Sequence, residues 1–230
     1  MPKVKKEYFK KKENQIVDAT MRVCQSKPAY EVTLRDIVRE CKISQGSIYC
    51  YFSDIDEIFA AILNRCHSEI KFEEDTEKIF EQEERPEVII ESAFTVLGQN
   101  IDKIVERYGN LIYELNAIYM NNQVRGEKMQ NLVDVSNAGD MFLYKLLAFI
   151  EKHISNGDFQ PTIPKAHILL LISVAFQGIM RTATFTQNAQ LMQEAYGVAE
   201  EYATAQGMAS ILSQVVIGIL KNNNLRGNLK

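Results

Sequence analysis

The sequence lacks the marks of an enzyme. It holds no G-x-G-x-x-G or P-loop pattern, no H-E-x-x-H and no G-x-S-x-G. Its three histidines, His67, His153 and His167, fall on separate segments and read as ordinary surface or core residues rather than ligands. Cys66 and His67 are neighbours, which on a helix turns their side chains about 100° apart, away from a shared metal. No metal or cofactor is expected. The four cysteines (Cys24, Cys41, Cys50, Cys66) form no C-x-x-C pair and all lie in the first third of the chain. They read as reduced thiols of a cytoplasmic protein, not disulfides. The basic start MPKVKKEYFKKK is followed by no apolar core of a signal peptide. The longest apolar run, Ile168 to Phe176, is far short of the ~20 residues a membrane span needs, so no membrane partner is expected. No repeat, low-complexity tract or strand-like alternation interrupts the helical periodicities, and the fold class is all-α.

The charged fraction is near average, but the charge is unevenly placed. The net charge is −4 over 230 residues. Residues 1–53 hold 11 Lys/Arg and 6 Asp/Glu, a net +5, leaving −9 for residues 54–230. A basic head on an acidic body is the footprint of a chain whose head meets phosphate.

The head is built around Thr33–Phe52, TLRDIVRECKISQGSIYCYF. Thr33 is placed to cap a first helix, with Asp36 as its capping-box partner. Leu34, Ile37, Val38 and Cys41 follow at i, i+3, i+4 and i+7, one apolar face. Ser44 is placed to cap a second helix, on which Ile48 and Phe52 are one turn apart. The connection between them is too short for antiparallel packing and suits a helix-turn-helix. Gln45, Ser47, Tyr49 and Tyr51 occupy the faces that Ile48 and Phe52 leave free, an arrangement a DNA major groove accepts. A helix over about 12–26 precedes this unit, and residues 3–12 read as a mobile basic arm. Asp54 opens a further helix with Ile55, Ile58, Phe59, Ile62, Leu63 and Cys66 as its apolar stripe.

One helix, then T-L-R-D-I-V, then S-Q-G-S-I-Y-x-Y-F, then a helix opening D-E-I-F resembles the TetR family of transcriptional regulators over about residues 14–63. The resemblance implies an N-terminal three-helix helix-turn-helix domain, residues 1–53, and a larger helical ligand-binding and dimerisation domain, residues 54–230. It implies that Thr33 and Arg35 open the helix that crosses the DNA backbone. It further implies that Ser44, Gln45, Gly46 and Ser47 begin the recognition helix, and that Tyr49 and Tyr51 contact bases or phosphates. Lys42 stands where the family usually has glycine, and Ile55 where it often has lysine.

The body reads as further helices over about 87–107, 111–121, 125–155, 165–185 and 203–221, with a short one within 190–201. The acidic run over 68–85 reads as a solvated continuation and linker. The segments 165–185 and 203–221 are apolar nearly all round, which calls for burial on every side. Pairing them with their copies across a two-fold axis would form a four-helix homodimer interface, and the family dimerises in this way. Tyr113, Asn116, Tyr119, Phe142, Phe149, Ser173, Gln177 and Arg181 are the candidate ligand-pocket residues, polar or aromatic groups among apolar ones. For Ser173, Gln177 and Arg181 the alternative is a place on the dimer seam or in water.

The expected function is that of a cytoplasmic, non-enzymatic transcriptional regulator. It is a homodimeric repressor that binds a palindromic double-stranded DNA operator and is released by a small hydrophobic inducer. The alternative is a helical ligand-binding or protein-interaction module that does not bind DNA. The salt dependence of binding to a duplex separates the two.

Overall fold

A computed structural model describes residues 3–69, 78–133, 138–184, 193–194 and 197–221. Its main helices are α1 (Lys3–Ser26), α2 (Leu34–Cys41), α3 (Gln45–Tyr49), α4 (Ile55–Glu69), α5 (Pro86–Tyr108), α6 (Leu111–Met120), α7 (Gln123–Leu132), α8 (Ala138–Ser155), α9 (Lys165–Ala183) and α10 (Ala205–Lys221). Short 3-10 turns occupy Ala29–Glu31 and Glu200–Ala203. No strand occurs among the described residues, in agreement with the all-α expectation. The chain forms two compact units. The first is Met1–Glu69 with Arg107–Val135, the second Ile70–Glu106 with Ser136–Lys230.

In the first unit, α1 buries Ile16, Val17 and Ala19. The equally buried Thr20 satisfies its hydroxyl by donating to the Ile16 carbonyl at 2.9 Å. Helix α4 adds Ile58, Phe59, Ile62 and Leu63 to the same core. Arg65 on α4 reaches back to α1, pairing with Asp18 and donating to Asn14 Oδ1 at 3.0 Å. On the other side, Asn64 donates to the Leu132 carbonyl at 2.9 Å, holding α4 to the end of α7. Glu114 on α6 accepts from the Ala29 backbone N–H at 2.6 Å. The connector before α2 is thereby fixed to α6.

The second unit packs α5, α8, α9 and α10 around Phe94, Leu97, Phe142, Leu146, Ile168 and Val216, all buried. Asp102 on α5 caps α10 from outside, accepting from the Ala205 and Gln206 backbone N–H groups at 2.9 and 3.0 Å. A carboxylate at a helix N-terminus satisfies orphan donors and complements the macrodipole. The crossing is close: a Cβ on Gly98 would lie 2.4 Å from Gln206 Cα. At the other ends of α5 and α10, Glu87 pairs with Lys221 at 2.5 Å.

Two sequence expectations are corrected. Residues 3–12 are not an arm but the first turns of α1, which runs unbroken from Lys3. Beyond Pro2 this stretch has no glycine or proline, and lysine is a good helix former. The single helix expected over 125–155 is two helices, because Val133 leaves the helical region at φ −92°, ψ 130°. The apolar period continues across that break, which is why the pattern hides it. Within a single copy of the chain α9 keeps one side open, the side that the sequence reading assigns to a second subunit. Ile168, Ile172 and Ile179 are buried, while Leu170 and Val174 are 63% and 61% exposed. By length and composition α9 is the one described helix that would suffice to cross a membrane. The acidic residues 70–77, and most of the short helix expected within 190–201, lie outside the described residues.

Candidate nucleic-acid interface

The local chemistry of Thr33–Phe52 takes the expected form. Thr33 is extended at φ −117°, ψ 159° and accepts from the Asp36 N–H, while the Asp36 carboxylate accepts from the Thr33 N–H at 2.9 Å. This is a complete capping box. Lys27 adds an ammonium at 2.9 Å from Asp36. Hydrogen bonds from the Thr33 hydroxyl and from Lys27 hold the Asp36 carboxyl well below the usual carboxylate range. Helix α2 ends at Lys42, which adopts the left-handed conformation at φ 55°, ψ 35°. The turn therefore needs positive φ, and lysine accepts a strain of roughly 1 kcal/mol that glycine would avoid. Ser44 then caps α3, accepting from the Ser47 N–H at 3.1 Å.

The two helices share a core and leave one face open. Ile37 and Ile48 are 0% exposed and Phe52 is buried. Thr33, Arg35, Ser44, Gln45, Gly46 and Tyr49 are exposed, and Ser47 and Tyr51 are half-buried. The open face of α3 carries no formal charge and is lined with hydrogen-bonding groups. The Gln45 amide donates to the Tyr49 hydroxyl at 3.3 Å, and the Ser44 and Ser47 hydroxyls share a hydrogen bond at 2.8 Å. Arg35 and Arg39 on α2 and Lys42 in the turn before α3 are exposed and form no ion pair with any of the described residues. A neutral donor-acceptor surface preceded by unpaired cations suits base edges flanked by phosphates.

Gly46 has a separate logic. Its φ is not positive, and a Cβ placed there would find only Ser44 Oγ, at 4.0 Å. Nothing packed against it within the protein demands a glycine, and the position is open to solvent. Tyr51 follows α3 and packs against Phe9 of α1, the rings tilted at 43° with centroids 4.6 Å apart. Local desolvation and the nearby Tyr8 phenol raise the Tyr51 phenol above its ordinary value, so it stays a donor at neutral pH.

Sequence reasoning missed a charged cluster at the start of α4. Asp56 is buried and accepts from Arg125 and, at 3.2 Å, from the Tyr119 hydroxyl. Arg125 also stacks over the Tyr119 ring, 5.4 Å from its centroid. Lys128 pairs with Asp54, the residue whose carboxylate accepts from the Glu57 N–H to cap α4. Burial pushes the Asp54 carboxyl up, but the Lys128 ammonium and backbone N–H groups outweigh it, and the net shift is downward. Burial and the Asp56 charge together raise the Tyr119 phenol. The partners are separated by some 60 to 74 positions along the chain, and no local pattern signals such a pairing.

The candidate pocket residues fall in both units. In the first unit Tyr113 is half-buried, Asn116 exposed and Tyr119 committed to Asp56. In the second, Phe142 is buried and Phe149 half-buried, their rings 6.3 and 5.4 Å from that of Phe80. On α9, Ser173 is half-buried, while Gln177 and Arg181 share the exposed side with Leu170 and Val174. The cysteines are free thiols. Burial pushes Cys24 and Cys66 up to about 12, which removes them from thiolate chemistry at neutral pH.

The family model for bacterial regulatory proteins of the tetR family matches residues 16–62. A relative from Bacillus subtilis (strain 168), the uncharacterized HTH-type transcriptional regulator YfiR, is 26% identical over 186 residues, which are 80% of this chain and 85% of the relative. Among solved structures, the ketosteroid transcriptional regulator KstR2 of Mycobacterium tuberculosis superposes with a TM-score of 0.60 at 15% identity, over 92% of this chain and 96% of its own. FadR from Bacillus subtilis, solved in complex with stearoyl-CoA, gives 0.51 at 14% identity, over 90% and 98%. At these identities the structural likeness is one of fold.

Proposed function

We propose that the chain is a regulator of the TetR family, whose model matches residues 16–62, and that it is a cytoplasmic repressor that binds a palindromic operator as a homodimer and leaves it when a small hydrophobic ligand enters the helical body. The observation that carries this reading is the open face of α3, neutral and hydrogen-bonding, preceded by the exposed, unpaired cations of α2 and the turn. Gln45, Gly46, Ser47 and Tyr49 approach bases. Thr33, Arg35, Ser44 and Tyr51 meet the backbone beside them. The backbone N–H groups at the start of α4 supply a phosphate contact in place of the lysine that Ile55 replaces.

Dimerisation is supported by the outer sides of α9 and α10. Leu170 and Val174 on one, with Ile211 and Val215 at 45% and 47% exposure on the other, form apolar stripes on two helices that pack together. Covering such stripes with a second copy is the ordinary use of an exposed apolar helical face. A two-fold dimer places two recognition helices at the half-site spacing of one or more DNA turns, about 34–36 Å each. A hydrophobic ligand is supported by the apolar core of the second unit and by the stearoyl-CoA carried by FadR. The candidate lining is Phe142, Phe149, Ser173, Gln177 and Arg181 within the second unit and, taken by itself, Tyr113, Asn116 and Tyr119 within the first. Release follows if the ligand tilts α4, whose first turn is fastened to α7 through Asp54 and Asp56, and so changes the spacing of the two heads.

Gln45→Ala and Tyr49→Ala test the reading at a fixed salt concentration. Each lost base contact is expected to cost about 1–3 kcal/mol in operator affinity. Both variants binding as tightly as the parent would sink the groove assignment. Absence of DNA binding by the parent near micromolar protein would leave a helical ligand-binding or interaction module instead.

A further inference from the structure

The first turns of α1 have a composition that protein packing does not explain. Residues 3–12 hold six lysines and one glutamate, yet they are helical from Lys3 onward. No acidic residue lies in the first turn, and Lys6 places a cation at the positive end of the helix macrodipole, where cations are unfavourable. Residues 6–11 are exposed throughout, so burial does little for this segment. Its one ring contact among the described residues is Phe9 on Tyr51, immediately beyond the recognition helix. Lys6 precedes Phe9 by three positions and Lys12 follows it by three, which sets both on the Phe9 side of the helix, with Lys10 beside them. Lys6 and Lys10 form no ion pair with any of the described residues, and Lys12 bonds only the neutral Gln15 amide, at 3.0 Å. A cationic helix that opposes its own dipole is stabilised when a polyanion lies against it. The match to the family model begins at residue 16, so this segment lies outside what that match describes.

We propose that the first three turns of α1 are a second DNA-contacting element, held just beyond α3 by the Phe9–Tyr51 contact and bringing Lys6, Lys10 and Lys12 to the phosphates beside the bases that α3 reads. The proposal rests on the reading of α3 as the recognition helix. It assigns the segment to backbone positioning, which adds affinity on any sequence and no base discrimination.

The test is the salt dependence of duplex binding by the parent, a Lys6→Gln/Lys10→Gln/Lys12→Gln variant, Phe9→Ala and Lys11→Gln. Lys11 carries the same charge but lies about 200° around the helix from Phe9. Each lost phosphate contact lowers the slope of log K against log salt by about 0.9, so the triple variant is expected to lose up to about 2.7. The loss should be equal on operator and unrelated duplexes. Phe9→Ala should lower the slope in the same direction, and Lys11→Gln should keep the parent value. Thermal unfolding of each variant, expected within about 1 °C of the parent, excludes a folding defect. A triple variant with the parent's slope overturns the proposal and leaves α3 untouched. An equal loss per charge in Lys11→Gln also overturns it, since any surface charge would then serve. A parent that binds no duplex overturns this proposal together with the reading of α3.

Discussion

Gly46→Ala separates stability from recognition more cleanly than any other single change in this protein. Gly46 is the second residue of a five-residue helix, its φ is not positive, and the nearest atom to an added Cβ is Ser44 Oγ at 4.0 Å. Alanine therefore fits without displacing anything. Glycine within a helix costs roughly 0.5–1 kcal/mol relative to alanine through backbone entropy. Because the position is in the first turn of a short helix, the lower figure applies, and a gain of about 0.5 kcal/mol is expected. For a chain of this size that is a rise in Tm of about 1–2 °C. The same methyl group would stand on the open face, where DNA is proposed to come closest. Loss of that approach is expected to weaken operator binding at least tenfold, about 1.4 kcal/mol. Thermal unfolding and a titration at fixed salt measure the two effects independently. A variant more stable than the parent and poorer at binding is the predicted outcome. Unchanged affinity would refute the close approach, and a loss of stability would refute the packing argument.

Three other perturbations follow from the same structure. Lys42→Gly relieves the left-handed strain at φ 55° and should stabilise by up to about 1 kcal/mol, read as a higher midpoint in denaturant; a lower midpoint would count against the strain. Asp56→Ala strands the Arg125 guanidinium and the Tyr119 hydroxyl. Breaking a fully buried pair costs about 3–5 kcal/mol, and the partial exposure of Arg125 reduces this to about 2 kcal/mol, a fall in Tm of roughly 4–8 °C; an unchanged Tm would refute the cluster's role. Glu87 titrates below its ordinary 4.5 because the Lys221 ammonium holds it ionised against the opposing pull of burial. Its folded value being the lower one, its contribution is complete above about pH 4.5 and is lost as pH falls through the folded value. Glu87→Gln should therefore flatten the acid limb of the stability profile, and an unaltered limb would contradict the assignment.

The parts legible in the sequence were those fixed by neighbours along the chain. Thr33 with Asp36, Ser44 before Gln45, and the one-turn spacings of Ile37 with Cys41 and of Ile48 with Phe52 are short-range signals, and the structure realises each of them. The first turns of α1 were misread because a lysine-rich stretch looks solvated whether it is helical or not; the Phe9–Tyr51 contact spans 42 positions and leaves no local trace. The break at Val133 was invisible because the apolar residues on either side keep a common period. The α4–α7 cluster depends on which charges the fold brings together, and the spacing of Asp54 and Asp56 from Arg125 and Lys128 encodes nothing about it. Helix α9 gave a composition compatible with burial on all sides, while its exposed stripe emerges only once the chain is folded by itself.

The central claim is that α3 reads DNA as one of a symmetric pair. Hydroxyl-radical footprinting of the region upstream of the protein's own gene tests it most directly. The prediction is two protected half-sites related by a dyad, centred one or more helical turns apart, with protection lost in Tyr49→Ala at the same protein and salt concentrations. A single unpaired footprint, or two half-sites that Tyr49→Ala protects as well as the parent does, would contradict it.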